Sequence, residues 1–388
     1  MTHLFINSLA ASAGGGLTYI RNVLPPLAAR PDLKITVVLS SGLRQEFREF
    51  SHINFLEADG ALSRRFWYEQ SSLPAMIQQS GADVLLSTGN FALHNPRVPQ
   101  ILLSRNSLYT SADFYRDLLS RHEYRTWLET RVRGALAKRS IFWADVTVAP
   151  SAAFAADLQR WTGKPVQTIH HGFDRDAFFR DTSPLKAEIT EQLGGVKNAV
   201  RLLFVSHYNY YRNFETLFRA LPILRQLLQG REVKVLLTCK LRANENPGAY
   251  NPEAAARLVK ELGVDDMVLE LGAVPYRQLH QLYRQANLYV TPAYTETFAH
   301  PLVEAMACGL PVVASDLAVH REICQDAALY FPRFSPQELA QRIADVVRSP
   351  EVAENLSLAG AERATAFSWR RHVEELLSIA DGLMVRRG

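Results

Sequence analysis

The chain has 388 residues, 47% hydrophobic and 21% charged, with a formal net charge of +4. This length exceeds what one hydrophobic core usually serves, so we expect two domains of an ordinary globular protein. The mild charge argues against a dedicated nucleic-acid binder, and no apolar run is long enough for a transmembrane helix. Three cysteines without metal-ligand spacing favour a reducing, cytoplasmic setting over a disulfide framework.

The N-terminal third alternates short apolar runs with helical segments, which is typical of parallel α/β sheets. Residues 4–7 predict a strand and not a signal peptide, because no basic segment precedes them. A glycine-rich turn at 11–16 opens a helix that the proline pair at 25–26 would end or bend. The turn lacks the G-x-G-x-x-G spacing, which disfavours a dehydrogenase. Gly15 and Gly16 permit a ligand to approach the backbone, although a plain tight turn also explains them.

Polar side chains follow the strand predicted at 100–103. Arg105 could bind an anionic acceptor or pair with a carboxylate, and we prefer the pairing as the simpler interpretation. Asn106 comes directly after it. Because ligands bind at the carboxyl ends of parallel strands, both residues are candidates for the acceptor side of a site.

A single basic helix is predicted at 113–143, with aromatic residues and leucines between its arginines and lysines. Such a helix can lie on an anionic membrane or bind a lipid-linked acceptor. Four acidic residues dilute its charge, so we prefer a solvated basic face, which is the commoner origin of such runs. Peripheral contact with the inner face of a membrane stays open as the alternative.

The second half opens with a linker at about 175–198 and a strand at 201–206. The adjacent His170 and His171, which precede the linker, would point to opposite faces of a strand, and we therefore expect no metal site there. Arg212 follows the strand and offers a cation with bidentate phosphate geometry, although an exposed loop arginine is the simpler alternative. Further along, the segment 244–252 predicts a flexible loop.

One stretch, residues 291–316, predicts a strand end, a loop, a short helix at about 301–308 and another strand. The loop and the helix N-terminus then lie at the carboxyl end of a parallel strand, where ligands bind. Glu296 on the loop and Glu304 one turn into the helix can both face this ligand-binding edge of the sheet. The two oxygens of each carboxylate can accept hydrogen bonds from a vicinal diol. A simpler interpretation explains the two glutamates about equally well when they are taken alone. Glu296 would then be a solvated charge on the loop, and Glu304 a favourable charge near the start of the helix.

The spacing Glu-x7-Glu, continued as EAMACGLPVVASD, resembles the signature of retaining glycosyltransferase family 4, which has the GT-B fold. The resemblance implies an α/β protein of two Rossmann-like, doubly wound parallel-sheet domains that face a cleft. It predicts an acceptor-side domain at 1–175, completed by a C-terminal helix at 367–388 that crosses back. A nucleotide-sugar donor domain is predicted at 176–366.

In that family the first glutamate contacts the donor sugar and the second the ribose. The resemblance therefore implies Glu296 and Arg212 as the catalytic pair. Several positions depart from the family: Glu296-Thr-Phe-Ala299 replaces E-G-F-G, Ser206-His207 replaces Gly-Arg, and Arg212-Asn213 replaces Lys-Gly. His300 is either the helix N-cap or a donor contact. The implied donor-binding residues are Gly15, Gly16, His207, Arg212, Lys240, Val274, Glu296, Phe298, Ala299, His300, Leu302 and Glu304, with Arg105 and Asn106 on the acceptor side.

The resemblance implies retaining, metal-independent hexosyl transfer from a UDP- or GDP-type donor to a saccharide or lipid-linked saccharide. The setting would be bacterial polysaccharide or glycolipid assembly. The resemblance implies neither a cofactor nor a nucleic-acid partner. A sugar-nucleotide epimerase or hydrolase of the same fold is one alternative. A non-catalytic nucleotide-sugar binding module is the other, and the departures at 105, 207, 297 and 299 keep it open.

Overall fold

The structure, a computed structural model, describes residues 1–11, 14–58, 62–245 and 250–385, without the side chains of residues 14 and 62–64. The chain forms two compact units. Unit 1 consists of Met1–Ser111, Leu118–Gly172 and the segment from Ser368 onward, and unit 2 of Ala112–Asp117 and Phe173–Phe367. Parts of the predicted turn at 11–16 and loop at 244–252 lie outside the described residues.

Unit 1 contains a seven-stranded parallel sheet in the order β3-β2-β1-β4-β5-β6-β7. Its central strands are continuous apolar runs, as expected for strands buried on both faces. The order reverses beside β1, which creates a topological switch point. The strands are β1 (Thr2–Asn7), β2 (Leu33–Leu39), β3 (Asn54–Glu57), β4 (Val84–Ser87), β5 (Gln100–Leu103), β6 (Val146–Ala149) and β7 (Gln167–Thr168).

The helix predicted to end or bend at 25–26 includes both prolines and ends soon after them, at Ala28. One other helix prediction for the first half was wrong. The helix predicted at 113–143 is two helices, since His122 between them has a left-handed φ of 60°. The helices are α1 (Gly14–Ala28), α2 (Leu62–Ser71), α3 (Leu73–Ser80), α4 (Ala112–Ser120), α5 (Tyr124–Trp143) and α6 (Ala152–Thr162).

Unit 2 contains a six-stranded parallel sheet in the order β10-β9-β8-β11-β12-β13, so its order reverses between β8 and β11. The two parallel sheets confirm the predicted class of two Rossmann-like domains. The strands are β8 (Val200–Phe204), β9 (Val233–Leu237), β10 (Val268–Glu270), β11 (Leu288–Thr291), β12 (Val312–Ser315) and β13 (Ala328–Phe331).

The helices of unit 2 cover both faces of this sheet in the manner of βαβ units. Three of them, the helices that begin after Asp174, Ser335 and Ser349, have an N-cap side chain that accepts from a backbone N–H of the first turn. Among the described helices of both units, none combines the length and the apolar composition of a membrane-spanning segment. The helices are α7 (Arg175–Phe179), α8 (Ala187–Gly195), α9 (Phe214–Leu227), α10 (Glu253–Glu261), α11 (Leu279–Gln285), α12 (His300–Ala307), α13 (Ala318–Cys324), α14 (Pro336–Arg348) and α15 (Pro350–Ala364).

Residues 112–117 belong to unit 2, although the sequence placed them in the first domain. The Asp113 carboxylate pairs with Arg333 at 2.9 Å, and the Tyr294 hydroxyl donates to Asp117 at 2.7 Å. The start of α4 is therefore held by the loops that follow β11 and β13.

The last helix, α16 (Trp369–Val385), belongs to unit 1 and packs against α1 through its apolar side. Gly172 permits this return of the chain, since a Cβ there would lie 2.0 Å from the Trp369 nitrogen. Trp369 and His372 also pack against His171, with ring centroids 5.2 and 5.6 Å apart.

Candidate functional site

The loop between β11 and α12 carries the glutamates of the predicted motif. Its last residue, Ala299, caps α12 with a left-handed backbone, φ 65° and ψ 63°. Glycine adopts this conformation easily because it has no Cβ, whereas the Cβ of an alanine makes it strained. His300 is the first residue of the helix and not its N-cap, so that alternative for His300 was wrong.

Glu296 forms an ion pair with Arg212 across the switch point of unit 2. Arg212 ends the loop that follows β8, and Glu296 lies on the loop that follows the neighbouring strand β11. Burial by itself raises the pKa of Glu296, but the Arg212 charge and the Thr297 N–H hold it below its ordinary value. Burial disfavours a charged Arg212, yet the Glu296 carboxylate raises its pKa above the ordinary value. Both side chains are therefore permanently charged in the neutral pH range.

One N–H group of Arg212 is unpaired within the described chain. The side chains of Arg212 and Glu296 are 21% and 13% exposed, so both retain a small accessible surface. The Arg212 Nε is buried and has no hydrogen-bond partner among the described residues. An unpaired buried N–H is costly, so a ligand oxygen that accepts from it would bind favourably.

Asn213 fixes the two loops against each other, and the sequence did not identify it as functional. Its backbone is left-handed, φ 57°, a conformation that asparagine tolerates better than most residues. Its side-chain amide donates to the carbonyl oxygens of Pro292 and Arg333 at 3.0 and 2.6 Å. The Thr216 hydroxyl donates to its Oδ1 at 2.8 Å. Asn213 thereby stands in for a glycine while it positions Arg212 opposite Glu296.

Glu304 is 3% exposed and accepts a hydrogen bond from the Tyr283 hydroxyl at 2.8 Å. Burial raises the pKa of this carboxyl group to about 7, against the lowering effect of Tyr283. Its charge therefore changes near neutral pH, and hydroxyl donors from a ligand would favour the ionised form.

Two of the remaining predicted residues, Phe298 on the loop and Leu302 in α12, are buried core residues. Phe298 and Leu302 are 1% and 0% exposed, and the Phe298 ring packs 5.4 Å from Phe367. The Leu302 N–H already donates to the Ala299 carbonyl at 3.0 Å. His300 stacks 4.9 Å from Phe298 and is half-buried.

A cavity of about 290 Å³ lies at the carboxyl ends of β8, β9 and β10. It brings His207 and Lys240 together, and Val274 follows its rim residue Ala273. Burial, followed by the Arg212 charge, lowers the pKa of His207, so this ring is neutral at pH 7. The Lys240 ammonium donates to the Glu270 carbonyl at 2.6 Å. The lining residues are Lys186, Glu188, Ile189, His207, Thr238, Cys239, Lys240, Glu245, Leu271, Gly272 and Ala273.

His320 on α13 is a further polar residue that the sequence did not single out. It is 0% exposed, and its Nδ1 lies 3.0 Å from the Ser315 carbonyl oxygen. Burial lowers its pKa to about 4, against the opposing charge of Glu296. A carbonyl neighbour requires Nδ1 to carry the proton, which leaves Nε2 as an acceptor without a partner in the described chain. A histidine one turn into the helix after β12 was the only sequence signal.

In unit 1 the structure brings Arg105 to the glycine turn. Its guanidinium donates to the carbonyl oxygens of Gly15 at 2.6 Å and Thr88 at 2.7 Å, and lies 5.1 Å from the Tyr19 ring centre. The preferred pairing of Arg105 with a carboxylate was therefore wrong. Burial lowers the pKa of Arg105 to about 10, which leaves it charged at neutral pH.

Gly15 and Gly16 lie in the first turn of α1. A Cβ on Gly16 would lie 3.1 Å from the Ala11 Cα, which is tighter than most real contacts, so close backbone packing requires this glycine. Asn106 accepts from the Leu108 N–H at 3.1 Å and caps a short helical turn. Within the described residues, no group of three or more His, Cys, Asp or Glu could hold a metal ion.

Comparisons with known proteins identify the family. The profile "Glycosyl transferases group 1" matches residues 186–363, and "Glycosyltransferase Family 4" matches residues 13–177. A D-inositol 3-phosphate glycosyltransferase from Thermobifida fusca is 28% identical over 255 residues, which are 64% of this chain and 57% of that protein. The chain spans about half the length of the curated relatives it matches.

Solved structures of similar fold cover nearly the whole chain. Sucrose-phosphate synthase from Thermosynechococcus elongatus has a TM-score of 0.74 at 20% identity, with 100% of both chains covered. Anabaena HepE in complex with UDP-glucose has a TM-score of 0.73 at 19% identity, with 98% of this chain and 100% of that chain covered. The two profile matches together with the Glu296–Glu304 motif show that this chain belongs to the group 1 glycosyltransferases, family 4.

Proposed function

We propose that the chain transfers a sugar from a nucleoside-diphosphate sugar to an acceptor hydroxyl with retention of configuration. The Arg212–Glu296 ion pair at the switch point of unit 2 carries this proposal. The pair places a permanent cation, which can bind a diphosphate, beside a carboxylate, which can accept hydrogen bonds from sugar hydroxyls. Both groups lie at the edge of the sheet where ligands bind in open α/β proteins. The UDP-glucose complex of HepE supports a nucleotide-sugar donor.

In the proposed reaction the bond between the anomeric carbon and the diphosphate oxygen breaks, and the acceptor oxygen bonds to the same face of that carbon. The acceptor proton passes to the departing diphosphate oxygen. Negative charge grows on the diphosphate, and a preorganised cation stabilises it. Arg212 takes this role, which is why we propose that transfer needs no metal ion.

The other residues bind and orient the donor in this proposal. Glu296 holds the sugar, while Glu304 accepts hydrogen bonds from the ribose hydroxyls. The cavity beside His207 and Lys240 takes the base, at the small end of the range of about 300–1,000 Å³ usual for ligand pockets. Gly15 and Gly16 are kept as donor-binding residues in this proposal.

We propose a UDP- or GDP-type donor and a saccharide or lipid-linked saccharide acceptor in bacterial polysaccharide or glycolipid assembly. The relatives support a hydroxylated acceptor, since their names specify an inositol phosphate. A cytoplasmic location follows from the supply of nucleotide sugars in that setting and belongs to the same proposal.

Thermal unfolding tests donor binding. The protein is heated with UDP, GDP, ADP, TDP or CDP, each with and without Mg²⁺. A nucleotide present at about 100 times its Kd stabilises the native state by roughly 2.7 kcal/mol. We expect a clear shift with one nucleotide that does not depend on Mg²⁺. No shift with any nucleotide would contradict an intact donor site.

Product analysis then distinguishes a transferase from a hydrolase or epimerase and from a non-catalytic binding module. The matching sugar donor is incubated alone and with a panel of glycan acceptors. Transfer to an acceptor supports the proposal. Free sugar or an isomer from donor alone would indicate a hydrolase or epimerase, and binding without turnover would indicate a binding module.

A further inference from the structure

The start of α4 contacts the two loops that carry the ion pair at the switch point of unit 2. Asp113 and Asp117 are four residues apart on this helix, so their carboxylates lie on one face of it. Their partners, Arg333 and Tyr294, are 220 and 177 positions away in the chain. We propose that these two aspartates are positioning residues, which hold the ion pair in the geometry that sugar transfer needs.

Asp117 holds the loop that carries Glu296. The Tyr294 hydroxyl donates to the Asp117 carboxylate at 2.7 Å, and Tyr294 is 4% exposed. The Tyr294 N–H donates to the Tyr211 carbonyl oxygen at 3.1 Å, so both the backbone and the side chain of Tyr294 are fixed. Glu296 comes only two residues later, within about 8 Å of backbone, so a shift of Tyr294 moves the glutamate.

Asp113 holds the loop that carries Arg212. Two nitrogens of Arg333, Nε and Nη2, lie 3.0 and 2.9 Å from the same Asp113 oxygen, and such charge-assisted contacts are strong. The Arg333 carbonyl oxygen accepts a hydrogen bond from the Asn213 amide at 2.6 Å. Because Asn213 directly follows Arg212, the aspartate fixes the end of the arginine's loop through Arg333 and Asn213.

Phe114, which is next to Asp113, contacts the same loop. It is fully buried, and its ring centre lies 6.2 Å from the ring centre of Tyr211. The Arg212 guanidinium lies 5.3 Å from the centre of that same tyrosine ring. One face of α4 therefore meets both loops of the ion pair, with an apolar contact beside two polar ones.

The aspartates give these contacts direction, while other side chains supply the apolar area. Phe114 and Tyr115 already provide buried apolar area at the start of α4. Hydrogen bonds and ion pairs act only over a narrow range of distance and angle, so they fix the loops in one arrangement. Catalytic groups need placement within about 0.5 Å, and a misplacement of about 1 Å can lower a rate by about 10²-fold.

The two contacts should affect different kinetic constants, and this expectation rests on the proposed function. Glu296 holds the sugar there, so loss of the Asp117 contact should lower kcat about tenfold and leave the donor KM within about twofold. Arg212 binds the diphosphate there, so loss of the Asp113 contact should raise the donor KM about fivefold. A role in stability alone would change neither constant of the folded protein.

Steady-state kinetics of the full chain with the matched donor tests both contacts. Asp117→Ala and Tyr294→Phe should each lower kcat, and the double variant should be no slower than either, because all three lack the same hydrogen bond. Tyr294→Phe keeps the ring and its packing, so its effect does not come from a lost fold. Asp117→Asn keeps an oxygen that accepts from the tyrosine, so it should recover most of the rate. Asp113→Ala and Arg333→Met should raise the donor KM with the same non-additivity.

The control is Asp266→Ala, which removes an ion pair with Arg225 in the same unit and should have wild-type kinetics. A crystal structure of the Asp113→Ala Asp117→Ala double variant needs no turnover, and it should show the ion pair at the switch point displaced. Absence of transfer by the wild type would contradict the proposed function, while this structure would still decide the positioning role. An ion pair in its wild-type position, or wild-type kinetics in the folded Asp113→Ala and Asp117→Ala proteins, would overturn the inference.

Discussion

Arg105 in unit 1 and Arg212 in unit 2 both follow strands at a sheet's carboxyl edge, yet their surroundings differ. Arg105 donates to two backbone carbonyls and faces the Tyr19 ring, and burial lowers its pKa to about 10. Arg212 pairs with the Glu296 carboxylate, which raises its pKa. The first arginine holds the backbone of the glycine turn, while the second is paired with a carboxylate at the switch point of unit 2.

The different partners lead us to expect a structural role for Arg105 and a functional role for Arg212. Arg105 is held by two neutral carbonyl oxygens and has no carboxylate partner among the described residues. The carboxylate beside Arg212 instead keeps both charges ionised and accessible to a ligand. The predictions below test these two roles.

The largest effect is expected for Arg212→Gln. It removes the cation beside the departing diphosphate, so kcat/KM should fall by about 10²–10³. Glu296→Ala should lower kcat in the same assay. Steady-state kinetics with the matched donor measures both, and Arg225→Gln is the control, because Arg225 pairs with Asp266 away from the site. Equal kinetics for Arg212→Gln and the control would contradict the role of Arg212.

For Arg105→Met we expect a loss of stability of about 3 kcal/mol, since two charge-assisted hydrogen bonds to carbonyls disappear. Donor KM should rise more than kcat falls, because the turn at Gly15 loses its support. Urea unfolding measures the free energy of unfolding. The Arg105→Lys variant keeps the charge and should therefore lose less stability than Arg105→Met. A kcat as low as that of Arg212→Gln would show that Arg105 acts in the chemical step.

Nucleotide affinity should depend on pH through Glu304. Its pKa of about 7 means that the carboxyl group loses a proton as pH rises, and the ionised form accepts ribose hydroxyls better. Affinity should therefore rise by up to about tenfold per pH unit below pH 7 and level off above it. Titration calorimetry measures this, and Glu304→Gln should remove the dependence. Glu304→Ala should mainly raise donor KM, and an unchanged KM would argue against ribose binding.

The smallest effect is expected for Ala299→Gly. It relieves a left-handed alanine, so it should stabilise the fold by up to about 1 kcal/mol after the greater freedom of unfolded glycine is subtracted. Urea unfolding measures the change, and Ala273→Gly serves as a loop control. A loss of stability at position 299 would show that the alanine methyl group contributes packing that outweighs the strain.

The sequence predicted the parallel sheets and the short helix that carries Glu304, because apolar runs and the residues that stop a helix are encoded locally. It could not predict that Arg105 donates to Gly15, since that contact joins residues 90 positions apart. Asn213 was missed for the same reason, because its partners Pro292 and Arg333 lie far away in sequence. His320 instead contacts nearby Ser315, and the sequence could not predict its complete burial. The burial of Glu304 raises its pKa to about 7, and the sequence could not predict this burial because it arises from the packing of α12 in the folded unit.

The most direct test is calorimetric titration of the nucleotide selected by thermal unfolding into wild type, Arg212→Gln and Arg225→Gln. The ion-pair site predicts at least tenfold weaker binding to Arg212→Gln and unchanged binding to Arg225→Gln, because a charge-assisted phosphate contact is lost only in the first. Equal affinity of all three proteins would contradict a diphosphate site at Arg212.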